Sequence, residues 1–430
     1  MNTAHDSFLN DLPQGWKFDR FKDIVSLRNE KTDEASAEED YLELEDMDSG
    51  SGRILSRRNT LEVGSAVTRF KTGDVLFGKL RPYLEKYWVA EFDGKCTGEI
   101  LAFEPQRIAS RFLFYCLGSR WFIERCNALA YGAKMPRVSW PTQLAQFNFP
   151  LPPLSEQQRI AAYLDASCAA IDAAVTAKRR QIETLGAVRE SIIETAVTRG
   201  LDSNSKFRVI NHDWLGSLPE HWAAVRIKRV ISHLDYGISV SSQPEGKYPV
   251  LKMGNIQSGE IVFSKMEFVD EVAEELLLEK NDLLYNRTNS PDQVGKAALF
   301  LGCKGDEVTF ASYLVRLRVN HRIIPEFLNY AVNCAGFLAF ARRLAIPSVQ
   351  QSNLNSTRYA RMFIPLPPIS EQRSICQHLR EKVGEMKCVV NTIESQIATL
   401  TAYRKSLIHE CVTGQRRITE ADINRVKAHG

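Results

Sequence analysis

Pro150–Gln157 reads PLPPLSEQ and Pro365–Gln372 reads PLPPISEQ, the same eight positions written twice with one Leu/Ile exchange, 215 residues apart. A match of that length marks an internal duplication, and self-similarity at long period outranks any local propensity in deciding an architecture. The same offset carries Gln181–Leu185 (QIETL) onto Gln396–Leu400 (QIATL), Arg189 onto Arg404, Ser191 onto Ser406 and Val197-Thr198 onto Val412-Thr413. Further upstream, Leu12–Trp16 (LPQGW) answers Leu218–Trp222 (LPEHW), and Gly73–Phe77 (GDVLF) answers Asn281–Tyr285 (NDLLY). Leu44–Gly50 and Met253–Gly259 share a pattern only. Two divergent globular segments therefore alternate with two similar ones.

The similar segments read as long helices. Ser155 with Gln158 three residues on has the form of a capping box, in which side chains satisfy the orphan donors of a first helical turn. Ser370 keeps the cap position but Arg373 replaces its reciprocal partner. Gly200 and Gly414 stand where a left-handed residue ends a helix. A span of about 43 residues corresponds to ~64 Å at 1.5 Å per residue. Leu164, Ile171, Lys178, Leu185 and Ile192 fall at a, and Cys168, Val175, Ile182, Arg189 and Ala196 at d. The second copy places Leu379, Met386, Ile393, Leu400 and Leu407 at a, and Val383, Val390, Ile397, Arg404 and Cys411 at d. Sustained heptads predict two helices packed on each other as an antiparallel coiled coil. In that arrangement Arg189 and Arg404 approach the opposite helix start, where Glu381 and Asp165 lie.

The fold expected is α+β: two α/β domains in tandem repeat, separated by the paired long helices. The boundaries are 1–154, 155–200, 201–369 and 370–414, with a tail at 415–430.

Motifs for chemistry are missing. No GxxxxGK[ST] loop cradles a phosphate, no HExxH holds a metal, and no GxSxG presents a nucleophile. A nuclease of the Asp…Glu-x-Lys kind is represented only by Pro291-Asp292 and the distant Glu385–Lys387, which read as solvated helix face. A methyltransferase needs a glycine-rich cofactor loop and an Asn/Asp-Pro-Pro-aromatic pocket, and neither is present. The nine cysteines form no CxxC pair and read as reduced packing residues. The chain starts with no basic segment leading into an apolar run, and no 18-residue apolar stretch follows, so a cytoplasmic protein is expected.

Net charge is only +3, from 55 Lys and Arg against 52 Asp and Glu, yet the charge is segregated. Residues 1–50 hold five basic and 14 acidic side chains, whereas residues 51–150 hold 15 basic and eight acidic. Within the basic region, Gly78–Lys86 places Lys79, Arg81, Tyr83 and Lys86 in a Pro-punctuated loop, and Tyr131–Arg137 adds Lys134 and Arg137. Such cations bind phosphate, and arginine also addresses guanine in the major groove. The matching places of the second copy carry Asn286, Arg287, Thr288 and Asn289, and then Gln350, Gln351 and Asn353. Asn and Gln are bidentate partners for adenine edges. Different polar loops at equivalent places of two copies fit a scaffold reading two short DNA sequences.

The two PLPP[LI]SEQ blocks, two LPxxW starts and two GDVLF/NDLLY strands together resemble the specificity subunit of a type I restriction-modification system, across nearly all of residues 10–415. The resemblance implies two target-recognition domains, each reading half of a bipartite asymmetric site, with the coiled coil setting the spacer. It implies double-stranded DNA, two modification (methyltransferase) subunits and restriction/translocase subunits as partners. It also implies that S-adenosylmethionine, ATP and Mg belong to those partners, this chain binding no cofactor or metal and carrying no catalytic residue. The competing reading is a free-standing tandem-domain DNA-binding regulator without methyltransferase partners.

Overall fold

The computed structural model describes residues 12–32, 39–59, 67–212, 214–303, 305, 307–348 and 351–429. The chain divides into unit 1, residues 1–179 with 393–430, and unit 2, residues 180–392. Each long helix begins in one unit and ends in the other.

Unit 1 is built on an antiparallel sheet in the order Val25–Leu27, Ile100–Pro105, Val75–Gly78, Tyr87–Val89. Beside it lies a five-stranded sheet whose order is Lys31–Thr32, Val67–Phe70, Gly94–Cys96, Asp40–Leu42, Arg58–Asn59. Helices α1 (Ser110–Leu117) and α2 (Arg120–Leu129) cover the first sheet with fully buried Phe112, Leu113 and Phe122. Their apolar faces close on Phe21, Phe103 and Phe149, where Phe21 and Phe149 stack at 4.3 Å. The long helix α3 runs Leu154–Arg199.

Unit 2 repeats the plan. Its main sheet starts with Ile231–Tyr236, Leu314–Val319, Leu283–Asn286 and Ala297–Leu299, the counterparts of the unit 1 sheet in the same spatial order. Helices α4 (Pro325–Asn333) and α5 (Ala335–Leu344) cover it. Helix α6 (Ser356–Arg361) precedes the second long helix α7, Ile369–Val412. The paired GDVLF and NDLLY segments are central strands, and their aspartates explain their likeness. Asp74 accepts the Lys71 amide and a bidentate pair from Arg28 at 3.0 and 3.2 Å. Asp282 accepts the Glu279 amide and a bidentate pair from Arg318 at 2.7 and 3.0 Å. Both carboxylates are buried, so each needs those donors to offset the loss of water.

The landmark octapeptides join strand to helix. Pro150 and Pro365 pair in two-stranded ladders with Phe18 and Ala224. The helices begin one residue before the expected serine, with the Glu156 and Gln157 amides turning to the Pro153 carbonyl and that of Gln372 to Pro368. Ser155 is thus an exposed first-turn residue and the capping box does not form. The buried polar group is instead the glutamine. Gln157 accepts the Ala109 amide at 2.8 Å and donates to the Pro152 carbonyl, and Gln372 accepts the Ile324 amide at 2.8 Å and donates to Pro367 and Arg322. Ala109 and Ile324 precede α1 and α4, so each glutamine satisfies a donor at the start of one helix from the start of another.

Gly200 and Gly414 end the long helices at φ 76° and 78°, in the left-handed region glycine favours. Within unit 1 the first half of α3 and the last half of α7 run antiparallel, because Lys178 meets Gln396, Asp172 meets Arg404, and Ile160, Leu164 and Cys168 share a core with Leu407 and Cys411. Within unit 2 the other halves meet through Ile193 and Val197 with Ile375 and Leu379. Every a and d position is buried or half-buried. Arg404 does not reach Asp165. Its Nε lies 3.2 Å from Asp172 and its Nη1 3.4 Å from the Gly50 carbonyl, while Asp165 is held by Arg111 and the Tyr115 hydroxyl. Burial pushes the Cys168 thiol in this seam up to about 11, which keeps it an unreactive packing group. Residues 415–430 are more than a tail: helix α8 (Glu420–His429) starts at Thr419, whose hydroxyl accepts the Asp422 amide, and Ile418 and Ile423 join the unit 1 core.

Replacing Gln372 by Leu strands the Ile324 amide and two carbonyls in a buried place. We expect a loss of about 1–3 kcal/mol per unsatisfied group in urea unfolding, against a much smaller effect for Ser370→Ala.

Candidate nucleic-acid interface

In unit 1 the two basic loops come together. Leu80 bridges Arg137 in antiparallel fashion, the Val138 amide donates to the Lys79 carbonyl, and the Arg81 amide to Pro136 at 2.7 Å. Arg81 and Glu85, both at φ 52°, turn the chain sharply around Pro82–Leu84. Non-glycine residues seldom adopt that conformation, and here backbone bonds on both sides fix it. Arg81, Tyr83 and Lys134 are exposed on the joined loops, with Arg81 Nη2 3.5 Å from the Lys134 carbonyl. Lys79 lines a cleft with Arg28, Asn29, Glu99, Tyr131 and Trp140.

Two of the expected cations are engaged within the protein. Lys86 Nζ donates to the Leu44 and Met47 carbonyls at 2.5 and 2.8 Å, which ties the loop to the turn that follows strand Asp40–Leu42. Arg137 forms a bidentate pair with Glu99 at 3.0 and 3.2 Å. These contacts make both of them supports that shape the loops. Sequence reasoning passed over Tyr131, which is 59% exposed on the same surface; its signal was an aromatic ring beside a loop glycine.

Unit 2 builds the equivalent place differently. Strands Ile346–Ser348 and Gln351–Asn353 form an antiparallel hairpin, and Thr288–Asn289 adds a third strand. The Asn353 side-chain amide donates to the Thr288 hydroxyl at 2.8 Å, and the Asn289 side-chain oxygen accepts the Ser290 backbone amide. Ile346, Pro347, Ser348 and Gln351 are exposed. Gln350 lies outside the described residues. Asn286 is fully buried at the end of its strand, a position from which an amide does not reach a base edge while the strand is closed. Arg287 stands 5.2 Å over the Tyr236 ring. Burial works against ionising the Tyr236 phenol, yet hydrogen bonds from the Ser356 hydroxyl and amide, with the Arg287 charge, outweigh it and hold the phenol below its ordinary value.

The residues of the nuclease alternative are scattered. Hydrogen bonds from Ser290 and Gln293 hold the Asp292 carboxyl below the usual carboxylate range. Lys387 pairs with Glu260 and Glu385 with Lys382.

Two α/β units of one topology, each setting two polar loops side by side, define a tandem recognition scaffold joined by heptad helices. The sequence profile of the type I restriction modification DNA specificity domain matches residues 13–184. The EcoKI specificity subunit of Escherichia coli is 20% identical over 436 residues, covering 94% of this chain and 90% of that one. A type I restriction enzyme specificity subunit of Methanocaldococcus jannaschii, MjaX, is 25% identical over 205 residues, and that match spans 46% of this chain and 47% of the relative. Among solved structures, a chain from a study of complex assembly and conformational transition of the type I R-M system superposes with a TM-score of 0.73, at 20% identity over 94% of this chain and all of that one. The HsdS subunit from Thermoanaerobacter tengcongensis gives 0.51 at 19% identity, over 94% of this chain and 98% of that one. The chain is thus similar to type I restriction-modification specificity subunits, in sequence profile over residues 13–184 and in fold over nearly its whole length.

The two kinds of lysine separate experimentally. Lys86→Met is expected to lower stability by about 1–3 kcal/mol through its two stranded carbonyls, leaving the salt dependence of duplex binding unchanged. Lys134→Gln is expected to do the reverse, lowering the slope of log K against log[salt] by ~0.9.

Proposed function

We propose that this chain is the sequence-reading subunit of a methyltransferase and restriction complex, each unit reading one half of a bipartite, asymmetric DNA site. The observation that carries the reading is the pair of equivalent loop surfaces with unlike chemistry, Arg81 and Lys134 in unit 1 and the hairpin with Gln351 and Asn353 in unit 2. Equal scaffolds with unequal faces give an asymmetric site. Phosphate contacts fix register, and amide or guanidinium groups at base edges supply the sequence. In unit 1, Tyr83 and Tyr131 add exposed rings for contact with sugar or base. A tandem protein on one face of B-DNA favours half-sites about one helical turn, ~34 Å, apart.

The chain itself carries no reaction in this reading. A base to be methylated has to leave the stack, and the pocket that receives it, with S-adenosylmethionine, belongs to two modification subunits docked on the paired helices. ATP and Mg serve restriction subunits. The helices act as the ruler that sets the spacer, and a modest net charge suffices because the partners share the phosphate clamp.

Reconstitution tests the proposal. Adenine methylation by purified modification subunit that requires this chain and a discontinuous site supports it. Tight specific binding by the chain alone, with no effect on methylation, favours a free-standing regulator, and metal-dependent cutting by the chain alone overturns both. Exchanging residues 201–365 for those of a relative is expected to change one half-site in the methylated-base map and leave the other intact. Adding one heptad to each long helix is expected to lengthen the spacer between the halves, and an unchanged spacer removes the helices as the ruler.

A further inference from the structure

The hairpin of unit 2 is set between two helix ends rich in arginine. Helix α5 carries Arg342 and Arg343 in its last turn and passes within two residues into Ile346–Ser348. Asn353 leads after two residues into α6, which carries Arg358 and Arg361. Contacts place two of these side chains at the hairpin base, and Arg343 lies beside them in the last turn of α5. Arg358 Nη1 donates to the Leu344 carbonyl at 2.9 Å, across from α6 to the end of α5. Arg342 Nη2 donates to the Asp292 carbonyl at 2.8 Å, in the loop that follows Asn289. Arg343 rests 5.4 Å over the Phe340 ring.

All three are exposed, and among the described residues no carboxylate forms an ion pair with any of them. Elsewhere in unit 2, Arg316, Arg318 and Arg380 are each matched by Asp or Glu. The last turn of α2, which occupies the place of α5 in unit 1, carries no basic residue. The two units thus divide their labour unlike one another. Unit 1 keeps its cations in the loops, at Lys79, Arg81 and Lys134. Unit 2 fills its loops mainly with amides and hydroxyls, Arg287 being the cation among them, and adds cations on the helices flanking them. A two-stranded ribbon fits the major groove, whose walls are the two phosphate strands. Cations at the ribbon's base then face those walls.

We infer that Arg342, Arg343 and Arg358 form a phosphate-gripping rim that seats the unit 2 hairpin in the DNA groove, contributing affinity and register without reading bases. The inference rests on the DNA-reading role proposed above. The competing account is local: arginines at a helix C-terminus favour its dipole and bind its last carbonyls. Salt dependence tells the two apart, since only phosphate contacts release condensed counterions.

The test measures binding of the full chain to a random-sequence duplex pool, and to duplexes enriched from it by selection, across a salt series. The R342Q/R343Q/R358Q variant is expected to lower the slope of log K against log[salt] by ~0.9 for each contact removed, to a similar extent on both DNAs, with their affinity ratio retained. R342K/R343K/R358K keeps the charge and is expected to keep the slope. R343Q alone removes no hydrogen bond and guards against misfolding; it is expected to lower the slope by ~0.9. An unchanged slope in R343Q and in the triple Gln variant overturns the rim while the reading role stands. A lowered slope in a chain from which selection enriches no sequence supports the rim and overturns the reading role. Loss of the affinity ratio in the triple variant with its slope intact overturns the rim in favour of base contact.

Discussion

The architecture depends on how the ends of two long helices are tied to the globular units. A helix start leaves four backbone donors without partners, and its stop leaves four acceptors. Antiparallel pairing brings the start of one long helix and the stop of the other into the same unit. In unit 2 a single tryptophan serves both. The Trp222 indole donates to Glu371 at 3.0 Å at the start of α7, and its ring packs on Gly200, where a methyl group would lie 3.0 Å from Cζ2. In unit 1 the stop of α7 is closed in the same way, since a methyl group at Gly414 would lie 2.6 Å from Pro13 and 3.5 Å from Trp16. There Glu156 pairs with Arg417 at 3.1 Å, so the C-terminal segment joins the clasp. The LPxxW and PLPPxSEQ landmarks are the two sides of one contact, and that is why both survive in a chain whose halves have otherwise diverged.

A clasp of this kind fixes the domain to the helix while leaving the opposite surface free to vary. The central strands, the buried Asp74 and Asp282 and the covering helices are held in common. The loops beyond those strands are not. Unit 1 joins its loops through a single bridge at Leu80 and Arg137, with cations on the outside. Unit 2 extends the same junction into three strands, with amides and hydroxyls. In the proposed reading the site is asymmetric for a physical reason: scaffold and surface answer to different constraints, burial in one case and ligand chemistry in the other.

The sequence made the helices, their seam and their stops legible, because heptad spacing and a left-handed glycine are local properties. It also located both loop pairs, since Pro, Gly and polar runs interrupt the apolar pattern there. The start of each helix was misread because a serine beside two prolines has the form of a cap, whereas Pro153 and Pro368 supply the turning carbonyls and the glutamine two residues past the serine does the bridging. Arg404 was assigned to Asp165 from helix register alone. Arg111 and Tyr115, 54 and 50 residues away in sequence, hold that carboxylate instead.

By itself the sequence determined the duplication, the α+β alternation with heptad helices, and which segments are free to differ, because repetition and periodicity are written along the chain. Only the tertiary structure decided which charges face outward. Lys86 and Arg137 look like Lys134 and Arg81 on paper, yet two carbonyls and one carboxylate from turns distant in sequence engage the first pair. Asn286 looks like Asn289, but it ends a strand that is buried on both faces. Arg342, Arg343 and Arg358 look like ordinary helix-end arginines until the hairpin between their helices brings them together. The availability of a side chain depends on what else lies within a few ångströms, and that is set by contacts between residues far apart in the sequence.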